Sequence, residues 1–204
     1  MNASPPIAVL GLYNSGSTAL AGALHRLGVY MGSPYWYSSD DNAKDNYYEP
    51  WDLGCQLRYW WNEPAIRENT HQEIRIACLA NWLRMRQCFH QGVVGAKHPL
   101  LSLCGEDLLT AWGADTLFLR SWRPLEESIA RLKARNWFSP YEEPLQRTLW
   151  HALEQFRARQ PHLTVAYQRL RSEPAAVLRE IAVYAHLNPS ASQLAAAAAF
   201  IHRV

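Results

Sequence analysis

Gly11-Leu12-Tyr13-Asn14-Ser15-Gly16-Ser17-Thr18 has the frame G-x-x-x-x-G-x-S/T. Between a strand and a helix, such a loop turns backbone N–H groups toward a phosphate at the positive end of the helix. A loop that reads a nucleoside triphosphate carries Lys just before the final Ser or Thr. Ser17 occupies that place here. The frame therefore offers an anion cradle without the cation that reaches β- and γ-phosphates. The plainer alternative is a polar strand-to-helix turn capped by Ser and Thr. Among the basic residues, 17 Arg stand against three Lys, namely Lys44, Lys97 and Lys133. Lys97 closes a short apolar run, so it is a candidate to point into a cleft; a solvated loop Lys is the alternative.

These residues need elements to position them. Ile7–Leu12 is a continuous apolar run flanked by turn residues, as in a strand buried on both faces. The loop follows, and Ala19–Leu27 carries Leu20, Leu24 and Leu27 at helical spacing before Gly28. Residues 29–70 show little periodicity. A helix is predicted over 71–88, a strand at Val93–Ala96 ending in Lys97-His98-Pro99, and a short helix at Glu106–Trp112. A third strand is predicted at Thr116–Leu119, ending at Arg120, then a helix from Pro124 to about Arg135, and another over 143–159. Leu163–Tyr167 is the fourth strand, with helices at about 174–185 and 190–202. Alternating strands and helices predict an α/β fold with a mostly parallel central sheet flanked by helices. Ligands in such sheets bind off the carboxyl ends of the strands. That brings together the loops at 11–18, 97–99 and 120–128.

Composition narrows the class. The chain of 204 residues is 49% hydrophobic and 19% charged, which excludes a disordered or fibrous protein. Its net charge of +2 is too balanced for a dedicated nucleic-acid-binding domain. No run of about 18 apolar residues suggests a membrane span, and residues 1–6 do not read as a signal peptide. Cys55, Cys78, Cys88 and Cys104 have no metal-ligand spacing, so the expectation is four reduced thiols in a cytoplasmic protein, with no metal.

Gly11–Gly32 resembles the 5′-phosphosulfate loop and first helix of the sulfotransferase family. The likeness recurs in order downstream. Asn46-Tyr47-Tyr48-Glu49 resembles an N-x-x-G-Y/F-F/W-E element, and Ala96-Lys97-His98-Pro99 a K-D/E-P or K-T-H turn. Leu119-Arg120 through Ser128 resembles an L-R-D-P segment followed by Ser, with the Pro displaced by two. Val165-Ala166-Tyr167 through Pro174 and Ile181–Leu187 resemble the closing element. The similarity spans residue 7 to about 200 and implies a single domain of the P-loop NTPase-like type, a three-layer sandwich.

The resemblance also implies an activity: transfer of a sulfuryl group from 3′-phosphoadenosine 5′-phosphosulfate (PAPS) to a hydroxyl or amine of a small acceptor, by in-line displacement without a metal. It implies that Tyr13, Asn14, Ser15, Gly16, Ser17 and Thr18 hold the 5′-phosphosulfate, with the amides of Ser15–Thr18 doing most of it. Arg120 and Ser128 would hold the 3′-phosphate, with Arg123 competing because of the displaced Pro. Lys97 would stabilise the sulfuryl or bridging oxygen, and His98 or Glu49 would serve as base. Asn14 stands where the family carries Lys or Arg, which puts more weight on Lys97. Two other readings remain: a P-loop kinase, against which the missing Lys argues, and a relative that binds nucleotide without transfer.

Tyr30, Tyr35, Trp36, Tyr37, Tyr47, Tyr48, Trp51, Tyr59, Trp60 and Trp61 crowd an insert at about 30–70. A long aromatic loop is too apolar for disorder. It reads either as an acceptor-binding lid or as a satellite core or homodimer face. Asp40, Asp41, Asp45 and Asp52 nearby suggest a neutral or cationic acceptor, such as a sugar or phenol, rather than a polyanion.

Overall fold

The computed structural model describes residues 4–35 and 47–203. Four parallel strands form one sheet: β1 (Ile7–Leu10), β2 (Gly95–Lys97), β3 (Leu117–Trp122) and β4 (Leu163–Ala166), in the spatial order β2-β1-β3-β4. The chain leaves β1 for β2 on one side and returns across β1 to β3 on the other. Chain direction thus reverses at the carboxyl end of β1, where open α/β sheets place their ligands.

Alternation along β1 builds the two faces. Ala8 and Leu10 point into one core with Leu53, Leu57, Leu79, Leu108, Leu149 and Leu153. These come from α2 (Trp51–Trp60), α3 (Gln72–Phe89), α4 (Gly105–Trp112) and α6 (Glu142–Arg157). Ile7 and Val9 point into the other core with Leu20, Leu24, Leu178, Ile181 and Phe200. Those belong to α1 (Ser17–Arg26), α8 (Pro174–Tyr184) and α9 (Ala191–Arg203). A buried sheet between two helical layers explains why β1 reads as an unbroken apolar run. On the second face α1 and α9 touch closely at Gly22, where a Cβ would lie 2.1 Å from the Phe200 ring. Between β3 and α6 lies α5 (Leu125–Arg135), with Glu126 and Glu127 in its first turn and Lys133 and Arg135 in its last, the polarity the helix dipole favours.

Three sequence expectations are corrected. The insert is not irregular throughout, because α2 occupies 51–60; its aromatic content and Gly54 masked a buried stripe of Leu53, Leu57 and Trp60. The third strand does not end at Arg120. It runs to Trp122, with Arg120 paired to Leu10 and Thr164. The second strand lies at Gly95–Lys97 rather than 93–96, since Val94 makes only an isolated bridge to Tyr30. Two short elements were not foreseen: a 3-10 turn at Pro99–Leu103 and α7 (Tyr167–Ser172). Among the described residues no helix is long and apolar enough to cross a membrane, and all four cysteines are free.

Candidate functional site

A cleft of about 550 Å³ opens at the carboxyl ends of the strands. Its floor is the loop after β1 and the first turn of α1, with Tyr13, Asn14, Gly16, Ser17, Thr18 and Ala19 on its wall. Gly16 adopts φ 93°, the left-handed region that favours glycine, and α1 starts at the next residue. The amides of Ser17, Thr18 and Ala19 occupy the first turn, where an α-helix has no acceptor of its own for them. Ser15 differs from expectation. Its N–H donates to the Leu12 carbonyl at 3.3 Å. Its hydroxyl donates to the same carbonyl at 2.7 Å and lies 2.8 Å from Ser121 Oγ. Ser15 therefore shapes the loop from inside and is not on the cleft wall. Ser102 Oγ accepts from Gly11 N–H at 3.1 Å, and Gln146 brackets the Tyr13 peptide with bonds of 3.1 and 2.8 Å. Asn14 has φ 59°, and its buried Nδ2 finds no hydrogen-bond partner.

Opposite the loop, β2 delivers Lys97. Its side chain is 3% exposed, and Nζ donates to Glu49 Oε1 at 2.5 Å, with Thr18 Oγ1 and the Tyr47 carbonyl each at 3.4 Å. Burial pushes the Glu49 carboxyl up, but Lys97 and His98 outweigh it and hold the group below its ordinary range, as a carboxylate. His98 is fully buried behind Glu49 and does not line the cleft. Its Nδ1 accepts from Leu100 N–H at 3.1 Å, which turns Nε2 toward Glu49 Oε2 at 3.8 Å. Burial pulls its pKa to about 4, so the ring is neutral at pH 7.

That buried ring has a testable consequence. An unfolded chain protonates His98 near its ordinary pKa, 6.5, whereas the folded protein resists until about 4. Its contribution is full above pH 6.5 and is lost as pH falls through the window down to 4, by about 3 kcal/mol in all. Urea unfolding at pH 7 and pH 4.5 will show a smaller acid-dependent loss for His98→Gln than for the parent. Equal losses would remove His98 as the cause.

The third wall comes from the β3–α5 region. Arg120 and Ser128 are not brought to the cleft. Arg120 shares the β3 face of Phe118 and binds Glu154 of α6 at 2.5 Å. Ser128 is fully buried with an unpartnered Oγ, and its carbonyl accepts from Gln146. Arg123, just past β3, does line the cleft; its guanidinium lies 4.1 Å above the Tyr167 ring and 3.6 Å from Glu127. Arg131, Ala134 and Arg135 line it from one face of α5, and Arg131 meets Glu127 at 3.0 Å. Arg135 lies 4.5 Å over Trp137, which touches Tyr47 edge-on at 6.1 Å. Sequence reasoning missed Arg131, Arg135 and Trp137. The available signal was the spacing of Arg131 and Arg135 along one helical face, common enough on solvated helices to pass unnoticed.

The aromatic insert divides between its two readings. Tyr47 lines the cleft, Tyr48 and Trp60 are core, and Trp51 and Tyr59 are exposed. Asp52 pairs with Arg86 of α3 at 2.6 Å and does not face the cleft. Trp36, Tyr37, Asp40, Asp41, Asp45 and Asn46 lie outside the described residues.

Lys97, Arg123, Arg131 and Arg135 thus surround a helix N-terminus, with Glu49 the one carboxylate on the wall among the described residues. Such a site suits a ligand carrying several negative charges, anchored by a phosphate. No protein-family model matches the chain, and no curated protein matches its sequence. Solved structures do share the fold. Sulfotransferase STF9 from Mycobacterium avium superimposes with a TM-score of 0.66 at 14% identity, over 97% of this chain and 67% of that one. The sulfotransferase domain of the Synechococcus olefin synthase gives 0.58 at 18% identity, over 95% and 76%. A sugar kinase from Janibacter gives 0.53 at 16% identity, over 91% and 96%. The chain shares its α/β fold with these sulfotransferases and with the sugar kinase.

Proposed function

We propose that this chain is a single-domain sulfotransferase that moves a sulfuryl group from PAPS to a hydroxyl or amine of a small acceptor. The observation that carries this reading is a phosphate-type loop without the triphosphate-reading Lys, faced by Lys97 and three arginines. A ligand with a 5′-phosphosulfate and a separate 3′-phosphate presents two anionic ends, and the cleft has two cationic walls.

The amides of Ser17, Thr18 and Ala19, with the Thr18 hydroxyl, hold the 5′-phosphate. Asn14 Nδ2 donates to the same group, which would satisfy a buried donor that has no partner in the free chain. Lys97 stands 3.4 Å from Thr18 Oγ1, at the same phosphate position. It stabilises charge that develops on the bridging oxygen as the bond to sulfur breaks. Glu49 keeps Lys97 in place. Arg123 and Arg131, rather than Arg120 and Ser128, take the 3′-phosphate; guanidinium forks suit that geometry. Positioning and charge stabilisation do most of the work in transfers of this type, as for phosphoryl groups.

Thermal melting tests the reading. PAP, the desulfated nucleotide, will raise the melting temperature more than ADP or ATP does. Arg123→Ala will abolish that shift and Arg120→Ala will not, whatever Arg120→Ala does to the baseline stability. A larger shift with ATP would favour the kinase reading, and no shift with PAP would defeat the proposal.

A further inference from the structure

Sulfuryl transfer from PAPS to a hydroxyl releases a proton, and neither candidate base is free to take it. Glu49 Oε1 is committed to Lys97, and Oε2 faces His98 Nε2. His98 has one ring nitrogen bonded to Leu100 N–H and the other turned to Glu49, so it offers the cleft no acceptor. Tyr13, by contrast, lines the cleft, and its hydroxyl donates to Glu63 Oε1. Glu63 sits behind it with a side chain 4% exposed, and its second oxygen is 3.0 Å from Arg58 Nε on α2. The Tyr13 ring is held in place by Phe138 at 5.1 Å and His98 at 6.5 Å. Tyr13 and Glu63 thus form a wire from the cleft wall to a buried carboxylate.

We propose that Tyr13 is a catalytic residue that takes the acceptor's proton and passes its own to Glu63, a positioning and proton-storing residue. This rests on the sulfotransferase reading above. The acceptor oxygen attacks sulfur, and the sulfur–oxygen bond to the 5′-phosphate breaks, with the electron pair leaving on PAP. As the new bond forms, the acceptor O–H proton moves to Tyr13 Oη and the Tyr13 proton moves to Glu63 Oε1. Glu63 returns it to solvent after the sulfated product departs. Tyr13 never carries a full negative charge in this scheme, which its surroundings forbid: burial, Glu63 and Glu49 all hold its hydroxyl far above the ordinary range. Burial lifts Glu63 as well, and Glu49 adds to this, while Arg58 and the Tyr13 hydrogen bond oppose it; the net direction is upward. A carboxylate with a raised pKa is a better proton store than Glu49, whose pKa is lowered.

The test uses the full chain and PAPS, with water as the acceptor and release of labelled inorganic sulfate as the readout. Glu63→Gln keeps the size of the side chain but cannot store the proton, and Tyr13→Phe removes the relay. Both should lower kcat about 100-fold with KM for PAPS within about twofold. Both should keep the PAP-induced melting shift. The parent's rate will fall on the acid side as Glu63 gains a proton, and Glu63→Gln will lose that limb. Glu63→Asp should recover part of the rate.

An acid limb that survives in Glu63→Gln, or that vanishes in Glu49→Gln instead, would overturn the dyad. So would a PAP-binding parent that hydrolyses PAPS no faster than Glu63→Gln. Each of these leaves the nucleotide reading intact. Absence of a PAP shift in the parent defeats the sulfotransferase reading and the dyad with it.

Discussion

Lys97→Met will lower stability by about 3–5 kcal/mol and, on the function proposed above, will eliminate measurable sulfuryl transfer. The stability loss comes from Glu49. Its side chain is 9% exposed, and it would be left as a buried carboxylate beside a thioether. Removing one partner of such a pair costs about 3–5 kcal/mol, because the survivor's desolvation is no longer offset. For a chain of this size that corresponds to a drop in melting temperature of roughly 10 °C.

The pH dependence separates this cause from a packing defect. In the parent, Lys97 and His98 hold Glu49 below its ordinary range despite burial. Its contribution is present above the ordinary carboxylate pKa and lost as pH falls through the lowered value. In Lys97→Met burial dominates, the carboxyl protonates at higher pH, and the variant recovers relative to the parent as the solution is acidified. Lys97→Met combined with Glu49→Gln should restore most of the stability at pH 7 but none of the transfer. A double variant as unstable as the single one would show that the pair's charge is not what Lys97 contributes to the fold.

Gly16→Ala is the second large effect. Gly16 has φ 93°, and a Cβ there would fall 2.2 Å from Tyr167 Cδ2. A left-handed conformation costs a non-glycine residue about 1–2 kcal/mol. Forcing a methyl against the ring adds about 1–3 kcal/mol, for a loss of roughly 2–5 kcal/mol in urea unfolding. Tyr167 also supports Arg123 at 4.1 Å, so a displaced ring moves a cleft cation. The nucleotide binding proposed above should therefore fall further than stability alone explains. Tyr167→Ala in the Gly16→Ala background will recover the steric part and leave the backbone part. Fully additive losses in that pair would show that the ring contact is not the source.

The legibility of this site in the sequence follows the strength of local signals. The β1–loop–α1 unit was readable because an unbroken apolar strand, two glycines and a helical Leu pattern agree with one another. Lys97 stood out only because lysine is scarce in this chain. Arg120 lies off the cleft for a physical reason. The apolar run stops at Leu119, yet Arg120 and Ser121 continue the ladder against Leu10, Thr164 and Val165, since backbone pairing does not depend on side-chain polarity. The two extra strand residues carry the chain past Arg120, and Arg123 becomes the cleft cation. Glu63 was invisible because its partner, Tyr13, is 50 residues away in the chain. Tertiary folding alone brings them together, through the turn that follows α2.

The loop after β1 is held from behind by Ser102, Ser121 and Gln146, which come from three different elements. The ordering entropy of the loop is therefore spent during folding, before the nucleotide of the proposed function would arrive. The receptor is rigid at its anchoring end. Selection there works by fit to a preset shape rather than by closure around the ligand, so weak or mismatched anions gain nothing from rearranging it. At the other end of the cleft Arg135 and Trp137 meet Tyr47 through ring faces and edges. The two ends of the cleft are thus built differently, one from side chains that bond the loop's backbone and hydroxyls, the other from ring contacts.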